Sequence, residues 1–173
     1  MSKLNAMPGK VKRVTVDLKS YPNLVVIYLG MRANSLRGWK TTIQFGPKIA
    51  AAVKQKPDGL LLHENIVFSL APLHVGMRQY WRDFDSLETW SRSLPHQAWW
   101  NKFLREPGGT GFWHETYFIS GGMEAIYDDM PEPVGLMRFA PQSAARGPMF
   151  SARKRGGIAG EPALQSPVKD EDL

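Results

Sequence analysis

The sequence predicts an α+β fold in which an antiparallel sheet carries helices on one of its faces. Two observations lead to this prediction. Short stretches in which apolar and polar residues alternate are typical of half-buried strands, and between them lie stretches with helical spacing of apolar residues. The resulting order is β-α-β-β-α-β with one further strand, which is the order of a ferredoxin-like split βαβ sheet.

Each element has its own signal. The first strand spans residues 23–32, and a turn-rich connection over 34–42 leads to an alanine-rich helix that begins at Pro47, a residue favoured in the first helical turn. Two strands follow and form an antiparallel hairpin around Ala71-Pro72. The second helical region has a capping signal at Asp85 or Ser86, followed by Glu88, and resumes after Pro95. These later elements are predicted at residues 59–70, 73–82, 83–93 and 96–106.

The stretch 109–130 is the most unusual part of the chain. Two apolar runs, 112–119 and 123–127, flank a Ser120-Gly121-Gly122 turn, a pattern that predicts a β-hairpin. Within the first run His114 and Thr116 share one face of the strand, whereas Trp113, Glu115 and Tyr117 share the other. Polar, titratable groups on both faces indicate a pocket or a subunit interface, and alternation alone does not decide which face lines it.

Length and charge predict one folded domain with two extensions. A chain of 173 residues suits a single domain, which we place at residues 21–137, between a basic N-terminal arm (1–20) and an extended or disordered C-terminal tail (138–173). A weak alternation over 11–18 would add an edge strand to the sheet. The net charge of +6 belongs to the extensions, since residues 21–137 carry equal numbers of acidic and basic residues. We therefore expect no nucleic-acid partner.

Composition excludes several classes of protein. There is no cysteine, which excludes disulfides, thiol nucleophiles and thiolate metal sites. No stretch approaches the roughly 20 apolar residues of a membrane-spanning helix, and the first residues lack the apolar core of a signal peptide. We expect a cytoplasmic protein with no membrane partner. His63-Glu64 and His114-Glu115 lack the helical spacing of a zinc-binding HExxH motif, so no metal is predicted.

The uncovered face of the sheet predicts both a cavity and a dimer. Val25, Ile27, Leu29 and Met31 form an apolar face of the first strand, which we assign to the helices. The mixed face would then line an enclosure closed by a second copy of the chain, since such a sheet needs a cover. An apolar cavity with a few convergent polar groups is typical of a small-molecule site. The groups expected there are Tyr28, Arg32, His63, Asn65, His74, Arg78, Tyr80 and one face of residues 112–119.

Three blocks of residues resemble a known family. GMRANSLRGW (30–39), QYWRDFDSLETW (79–90) and GFWHETY (111–117) are similar to an uncharacterised monooxygenase-like group. That group resembles the aldoxime dehydratases and antibiotic-biosynthesis monooxygenases of the dimeric α+β barrel superfamily. The resemblance covers about residues 20–137 and implies a homodimeric barrel with a small-molecule cavity in each subunit. It carries no catalytic roles, only motif positions: Arg32, Asn34, Trp39, Tyr80, Trp81, Trp113, His114, Glu115 and Tyr117.

The predicted function is a small-molecule enzyme of a biosynthetic or secondary-metabolism type. We expect a cofactor-independent, monooxygenase-like reaction on an apolar aromatic or polyketide-like substrate, with His114 as general base because an imidazole exchanges protons near neutral pH. Glu115 or His63 would orient this base, and Tyr80 and Arg32 would stabilise oxyanion charge. The residues expected to contact the substrate are Tyr28, Asn34, Trp39, Asn65, Arg78, Trp81, Trp113 and Tyr117.

Other interpretations stay open at this point. A dehydratase or cyclase would use the same acid and base without oxygen, and a haem needs only one axial histidine, as in the resemblance to aldoxime dehydratases. A non-catalytic ligand-binding homodimer is a third hypothesis. Individual residues also have structural interpretations: Arg32 and Arg78 can form salt bridges with Glu64 or Glu115, and Asp128-Asp129 reads as a solvated pair.

Overall fold

The computed structural model describes residues 12–119, 122–128, 130–133, 135–157, 159–160 and 170–172. The chain divides into two compact units, Tyr21–Ser120 and a second unit made of Met1–Ser20 with Gly121–Leu173. This division differs from the predicted one, because the boundary falls before residue 137 and the two extensions belong to one unit. Residues 1–11 of the predicted arm, Ser120-Gly121 and Asp129 lie outside the described residues.

The described part of the chain contains strands, α-helices and short 3₁₀ turns. The strands are β1 Arg13–Val16, β2 Val25–Ala33, β3 Leu60–Leu70, β4 Leu73–Trp81, β5 Thr110–Phe118, β6 Tyr127–Asp128 and β7 Gln142–Ala144. The helices are α1 Leu36–Lys54, α2 Phe84–Arg92, α3 His96–Arg105 and the four-residue α4 Ala152–Arg155.

The first unit has the predicted α+β fold. Strands β2 to β5 form one antiparallel sheet in the order β3-β4-β2-β5, with β3 and β4 joined as the predicted hairpin. The helices pack on one side: Val25 and Trp81 form a buried cluster with Leu87 of α2, and Phe112 contacts α3. We call this side of the sheet the helix face and the opposite side the open face.

Helix α1 begins earlier than predicted. The sequence analysis placed residues 34–42 in a connection and the helix start at Pro47, but Ser35 caps a helix that runs from Leu36 through Pro47. The Ser35 hydroxyl accepts a hydrogen bond from the backbone N–H of Gly38 at 3.2 Å, which satisfies one donor of the first turn. The cap of α2 was also misplaced by two or three residues, since the carboxylate of Asp83 accepts from the N–H of Ser86 at 2.7 Å.

The hairpin predicted at 109–130 is wrong. The first run does form β5, but β5 pairs with β2. Of the second run, only Tyr127 is in a strand, and β6 pairs with β1 in the other unit. A glycine turn between apolar runs is compatible with a hairpin, but β2 offers β5 a partner nine residues long, whereas the run 123–127 has no such length to offer.

The second unit is built around a small three-stranded sheet. Strand β1 lies at its centre, between β6 and β7. The prediction that this segment adds an edge strand to the larger sheet is therefore wrong. Arg13 donates two hydrogen bonds to Asp128 at 2.7 and 2.9 Å. Near the end of the chain, Arg146 donates to Asp170 at 3.2 Å, and the N–H of Gly147 donates to the same carboxylate. The described residues of the predicted tail are thus folded, because local arginine–carboxylate pairs and strand pairing hold them.

No helix within the described residues is both long enough and apolar enough to cross a membrane.

Candidate functional site

The strand register divides the predicted site residues between the two faces of the sheet. Residues directly opposite each other in a ladder share a face, and β2 pairs with both β4 and β5, so one register fixes three strands. The helix face carries His63, Asn65, Trp81 and His114. The open face carries Tyr28, Arg32, Arg78, Tyr80, Trp113, Glu115 and Tyr117.

The open face holds a polar ribbon that crosses all four strands. Arg78 of β4 donates from Nε and Nη2 to Oε2 of Glu64 on β3, at 2.9 and 2.7 Å, and from Nη1 to the hydroxyl of Tyr28 on β2 at 3.1 Å. The ring of Tyr28 meets that of Tyr117 on β5 edge to face, with centroids 5.9 Å apart. The Tyr117 hydroxyl donates to Glu115 at 2.5 Å. The predicted salt bridge of Arg78 with Glu64 is thus present.

The hydrogen bonds of the polar ribbon shift the pKa values of Arg78 and Tyr117. Partial burial lowers the pKa of Arg78, but its hydrogen bonds with Tyr28 and Glu64 outweigh this effect and raise the pKa overall. The hydrogen bond to Glu115 raises the pKa of Tyr117. Arg78 is therefore a fixed cation and Tyr117 a proton donor, so neither is a candidate general base.

An aromatic cluster covers the middle of the open face. Nε1 of Trp113 donates to Nε2 of His74 at 2.8 Å, and the ring of Phe68 packs against both residues. These rings lie over Gly30 and Gly76, which face each other across β2 and β4. A Cβ at Gly30 would sit 2.7 Å from Nε1 of Trp113, so the missing side chain makes room for the indole.

The helix face has a hydrogen-bonded row that fixes His63. Nε1 of Trp81 donates to Gln79 at 3.1 Å, and Nε2 of Gln79 donates to Nδ1 of His63 at 3.1 Å. The other ring nitrogen of His63 is then the donor to Oδ1 of Asn65, also at 3.1 Å. Burial lowers the pKa of His63, against the opposing effects of Asn65 and Glu64. Both nitrogens are engaged, so His63 is positioned as a neutral structural residue.

His114 lies at the opposite edge of the helix face. It is on β5, opposite Leu29 of β2, with the ring of Phe112 at 6.0 Å. Trp100 and Phe103 of α3 pack on Phe112, at 5.3 and 5.9 Å between ring centroids. The imidazole itself is exposed and makes no hydrogen bond to any described residue. His114 is therefore an exposed imidazole beside an aromatic wall, without a hydrogen-bond partner among the described residues.

The predicted constellation around His114 is not assembled within one chain. Glu115, Tyr80 and Arg32 lie on the other face of the sheet, because neighbours along a strand point in opposite directions. His63 shares the face of His114, but β3 and β5 are the two edges of the sheet. Asn34 and Trp39 are on neither face: Asn34 follows β2, and Trp39 is on the exposed side of α1.

Two residues of the helix side were missed by the sequence analysis. Nδ1 of His96, at the start of α3, lies 2.7 Å from the carbonyl of Ser91 and donates to it, which leaves Nε2 available between the rings of Trp90 and Trp99. Burial lowers the pKa of His96. Thr42 of α1 is 5% exposed, and its hydroxyl has no hydrogen-bond partner among the described residues. Two features of the sequence could have identified them. Thr42 places a hydroxyl on the inner side of α1, and His96 lies close in sequence to Trp90 and Trp99.

A surface depression lies away from these histidines. It has a volume of about 510 Å³ and is lined by the residues just before β3 and by the start of α2, including Asp58, Arg82 and Asp83. Arg82 pairs with both carboxylates, at 2.8 and 2.9 Å, so their charges are compensated locally. No group of three or more potential metal ligands occurs within the ranges that the structure describes.

Comparison with known proteins places this arrangement in a family. The sequence profile of the family described as monooxygenase af470-like matches residues 24–136. An aldoxime dehydratase solved in complex with butyraldoxime is similar with a TM-score of 0.67 and 23% identity, over 86% of this chain and 44% of that one. A second aldoxime dehydratase gives 0.61 and 20%, over 80% and 42%. This chain thus spans less than half the length of either enzyme.

A third solved structure has lower similarity. It is a putative antibiotic biosynthesis monooxygenase from Deinococcus radiodurans, with a TM-score of 0.46 and 18% identity over 57% of this chain and 95% of that one. No curated protein matches the sequence. At these identities the similarities to solved structures show the fold alone.

Proposed function

Because the chain belongs to the monooxygenase af470-like family, we propose that it is a small-molecule enzyme whose substrate lies between the helices and the sheet. The supporting observation is that burial on the helix face is uneven. Trp81, Val25 and Leu87 are almost fully buried at one end, which we call the closed end. Leu29, Met31 and Phe112 further along the strands are only partly buried, although α1 contacts β2 and α3 contacts Phe112, and burial is complete again beyond them at Ala33. We call this partly buried stretch the half-open region.

The half-open region suits an apolar aromatic ligand. Its walls are aromatic: Trp100 and Phe103 stack at 5.7 Å, and Phe45 of α1 meets Trp99 of α3 at 5.4 Å. Partly exposed aromatic rings gain free energy when a flat apolar molecule covers them, at roughly 25 cal/mol per Å² of apolar surface. His114 is the titratable group of β5 that borders this region.

In the proposed reaction His114 removes a proton from a phenol or enol bound against Phe112. The electron pair of the broken bond forms an enolate, whose carbon reacts with O₂. One oxygen atom becomes the new carbonyl oxygen and the other leaves as water, so that the oxidised carbon supplies the electrons and no reductant is needed. Thr42, whose buried hydroxyl is otherwise without a partner among the described residues, is the proposed donor to the oxyanion.

The test compares two adjacent residues on opposite faces. Oxygen uptake is measured with a panel of phenols and enolisable aromatic ketones. For any compound that is turned over, His114→Asn is expected to lower the rate by about 10²-fold or more, the usual contribution of a general base. Glu115→Gln, on the same strand but on the open face, should change the rate by less than about threefold. The reverse pattern would move the chemistry to the open face and contradict the proposal.

A haem-containing dehydratase is the second candidate. A haem needs a histidine with a free ring nitrogen as its axial ligand, so the hydrogen bonds of the histidines show which of them fits. His63 and His74 are engaged through ring nitrogens in hydrogen bonds. His96 fits best, because a ring that donates from Nδ1 to a carbonyl presents Nε2 as a ligand in an aromatic environment. A haem held by His96 would supply an electrophilic iron for dehydration. A Soret band that is lost in His96→Ala would favour this candidate.

The open face of the sheet is the surface that we propose for contact with a second copy of the chain. No helix of this unit covers the open face, and its ribbon and aromatic cluster are built from side chains that are half-buried or exposed. We propose a homodimer in which two open faces meet. Sedimentation velocity of the full chain should give the dimer mass, and a monomer at micromolar concentration would contradict this assignment.

A further inference from the structure

Helix α1 has a second apolar stripe, on its outer side. Gly38, Thr42 and Ala52 are buried on the inner stripe. Leu36, Trp39 and Ile43, spaced three and four residues apart, lie on one outer stripe and are 90%, 37% and 63% exposed. Exposed apolar residues are common singly, but a contiguous stripe on one helix indicates an interaction surface.

The charge around this stripe is of one sign. Helix α1 contains Arg37, Lys40, Lys48 and Lys54 and no acidic residue. Arg37 pairs with Glu106 at 3.5 Å, whereas the three lysines form no ion pair with any described residue. Residues 21–120 of this unit carry eleven basic and seven acidic residues, so the net charge of +4 of the unit equals the charge of α1 alone, and the rest of the unit is neutral.

Helix α3 repeats the pattern in the same unit. It contains Lys102 and Arg105 and no acidic residue, and it exposes Trp100 and Leu104, at 40% and 63%, four residues apart. The two helices are neighbours, since Phe45 of α1 packs on Trp99 of α3. Helix α2 does not share the pattern, because it carries Asp85 and Glu88. Among the three helices of this unit, exposed apolar residues with basic and no acidic neighbours on the same helix therefore occur only in α1 and α3.

We propose that the outer side of α1 is a docking surface for an anionic lipid bilayer. A helix with apolar side chains that include tryptophan, bordered by lysine and arginine, is suited to lie in the plane of a membrane interface. The apolar chains enter the acyl boundary, and the lysines remain at the phosphate level. The association is peripheral, so it is compatible with the finding that no described helix is able to span a membrane.

A second copy of this chain fits the surface less well. A symmetric contact of α1 against α1 would bring the lysines of both helices together, with no acidic residue on either helix to compensate them. An anionic bilayer instead supplies the opposite charge over the whole stripe. The sequence analysis expected no membrane partner because it looked only for spanning segments; the exposure of Leu36, Trp39 and Ile43 is visible only in the structure.

The experiment is co-sedimentation of the full chain with phosphatidylcholine vesicles, with and without phosphatidylglycerol. We expect binding to the anionic vesicles only, weakened by salt because the attraction is screened. Leu36→Ser with Ile43→Ser should weaken binding by about tenfold or more. Leu70→Ser is the matched control, since Leu70 is 72% exposed on the β3–β4 hairpin and should not affect binding.

A second pair of variants tests the charge. Lys40→Glu with Lys48→Glu should weaken binding at least about tenfold. Arg138→Glu with Lys154→Glu changes the net charge equally in the second unit and should have a smaller effect, because both residues are exposed far along the sequence from α1. Failure to bind anionic vesicles, binding unchanged by the α1 variants, or a loss of dimer mass in those variants would each overturn the proposal.

Discussion

The two faces of the four-stranded sheet differ in how their polar groups are satisfied. On the open face the polar ribbon runs sideways between strands, from Glu64 through Arg78 and Tyr28 to Tyr117. On the helix face the hydrogen-bonded row runs from Trp81 through Gln79 and His63 to Asn65, and His114 has no hydrogen-bond partner among the described residues. A face whose polar groups are already paired is suited to packing, and we propose that the face with an exposed imidazole beside aromatic rings is the side that binds a ligand.

The largest effect is expected at the closed end of the helix face. Trp81→Ala removes a fully buried indole and leaves Gln79 without its donor, so the free energy of unfolding should fall by about 3–5 kcal/mol. Chemical denaturation followed by circular dichroism measures this. Trp100→Ala is the control in the half-open region, where the side chain is 40% exposed, and should cost less than half as much free energy of unfolding. Equal losses would show that the closed end and the half-open region are packed equally tightly.

The open-face ribbon should contribute a smaller amount. Arg78→Met removes the arginine donor from Glu64 and from the hydroxyl of Tyr28 and should destabilise the fold by about 1–3 kcal/mol. Adding Glu64→Gln should recover part of this loss, because the carboxylate that lost the arginine charge is then neutral. The control is Arg92→Met, which breaks an exposed pair with Glu88 and should cost less than about 0.5 kcal/mol. No recovery in the double variant would show that the pair is not coupled.

The histidines of the helix side predict a pH dependence. Burial lowers the pKa of His63 and of His96 in the folded state. Since the unfolded chain then binds protons more readily, stability is complete above the ordinary histidine pKa of about 6.5 and falls as the pH drops below it. The melting temperature should be lower at about pH 5.5 than at about pH 8, and His63→Gln should flatten this dependence. If the melting temperature of His63→Gln depended on pH as strongly as that of the unchanged protein, His63 would not contribute to this dependence.

The smallest effect concerns the exposed end of the ribbon. The hydrogen bond to Glu115 raises the pKa of Tyr117, so its phenol should ionise only above the ordinary tyrosine value of about 10. In Glu115→Gln the ultraviolet titration should lose this late component. Stability should hardly change, because both side chains are exposed. An unchanged titration would mean that the two residues do not interact in solution.

The sequence predicted the fold well because its information is local. Alternation in residues 23–32 and in the β3–β4 hairpin fixes strands, and their order fixes the sheet. The start of α1 was missed because Pro47 is a good first residue of a helix, and Ser35 was not recognised as the cap. The partner of β5 was missed because strand pairing depends on residues far apart in the sequence.

The candidate site was predicted only in part, for a geometric reason. Alternation shows that His114 and Glu115 lie on opposite faces, but it does not show which face of residues 112–119 is turned towards the helices. The contacts of Phe112 with α3 decide this, and they separate His114 from Tyr80 and Arg32. His96 and Thr42 were missed because neither lies in a recognisable motif; their significance comes from hydrogen bonding and burial.

The most direct test of the different roles of the two faces is a nuclear magnetic resonance titration with a naphthol as an apolar aromatic probe. The side-chain resonances of His114 and of Trp113 are followed together, since these residues are adjacent on β5 and point to opposite faces. We predict that the ring signals of His114 shift saturably, whereas the indole N–H of Trp113 stays unchanged. A saturable shift of Trp113 with His114 unaffected would contradict a ligand site on the helix side of the sheet.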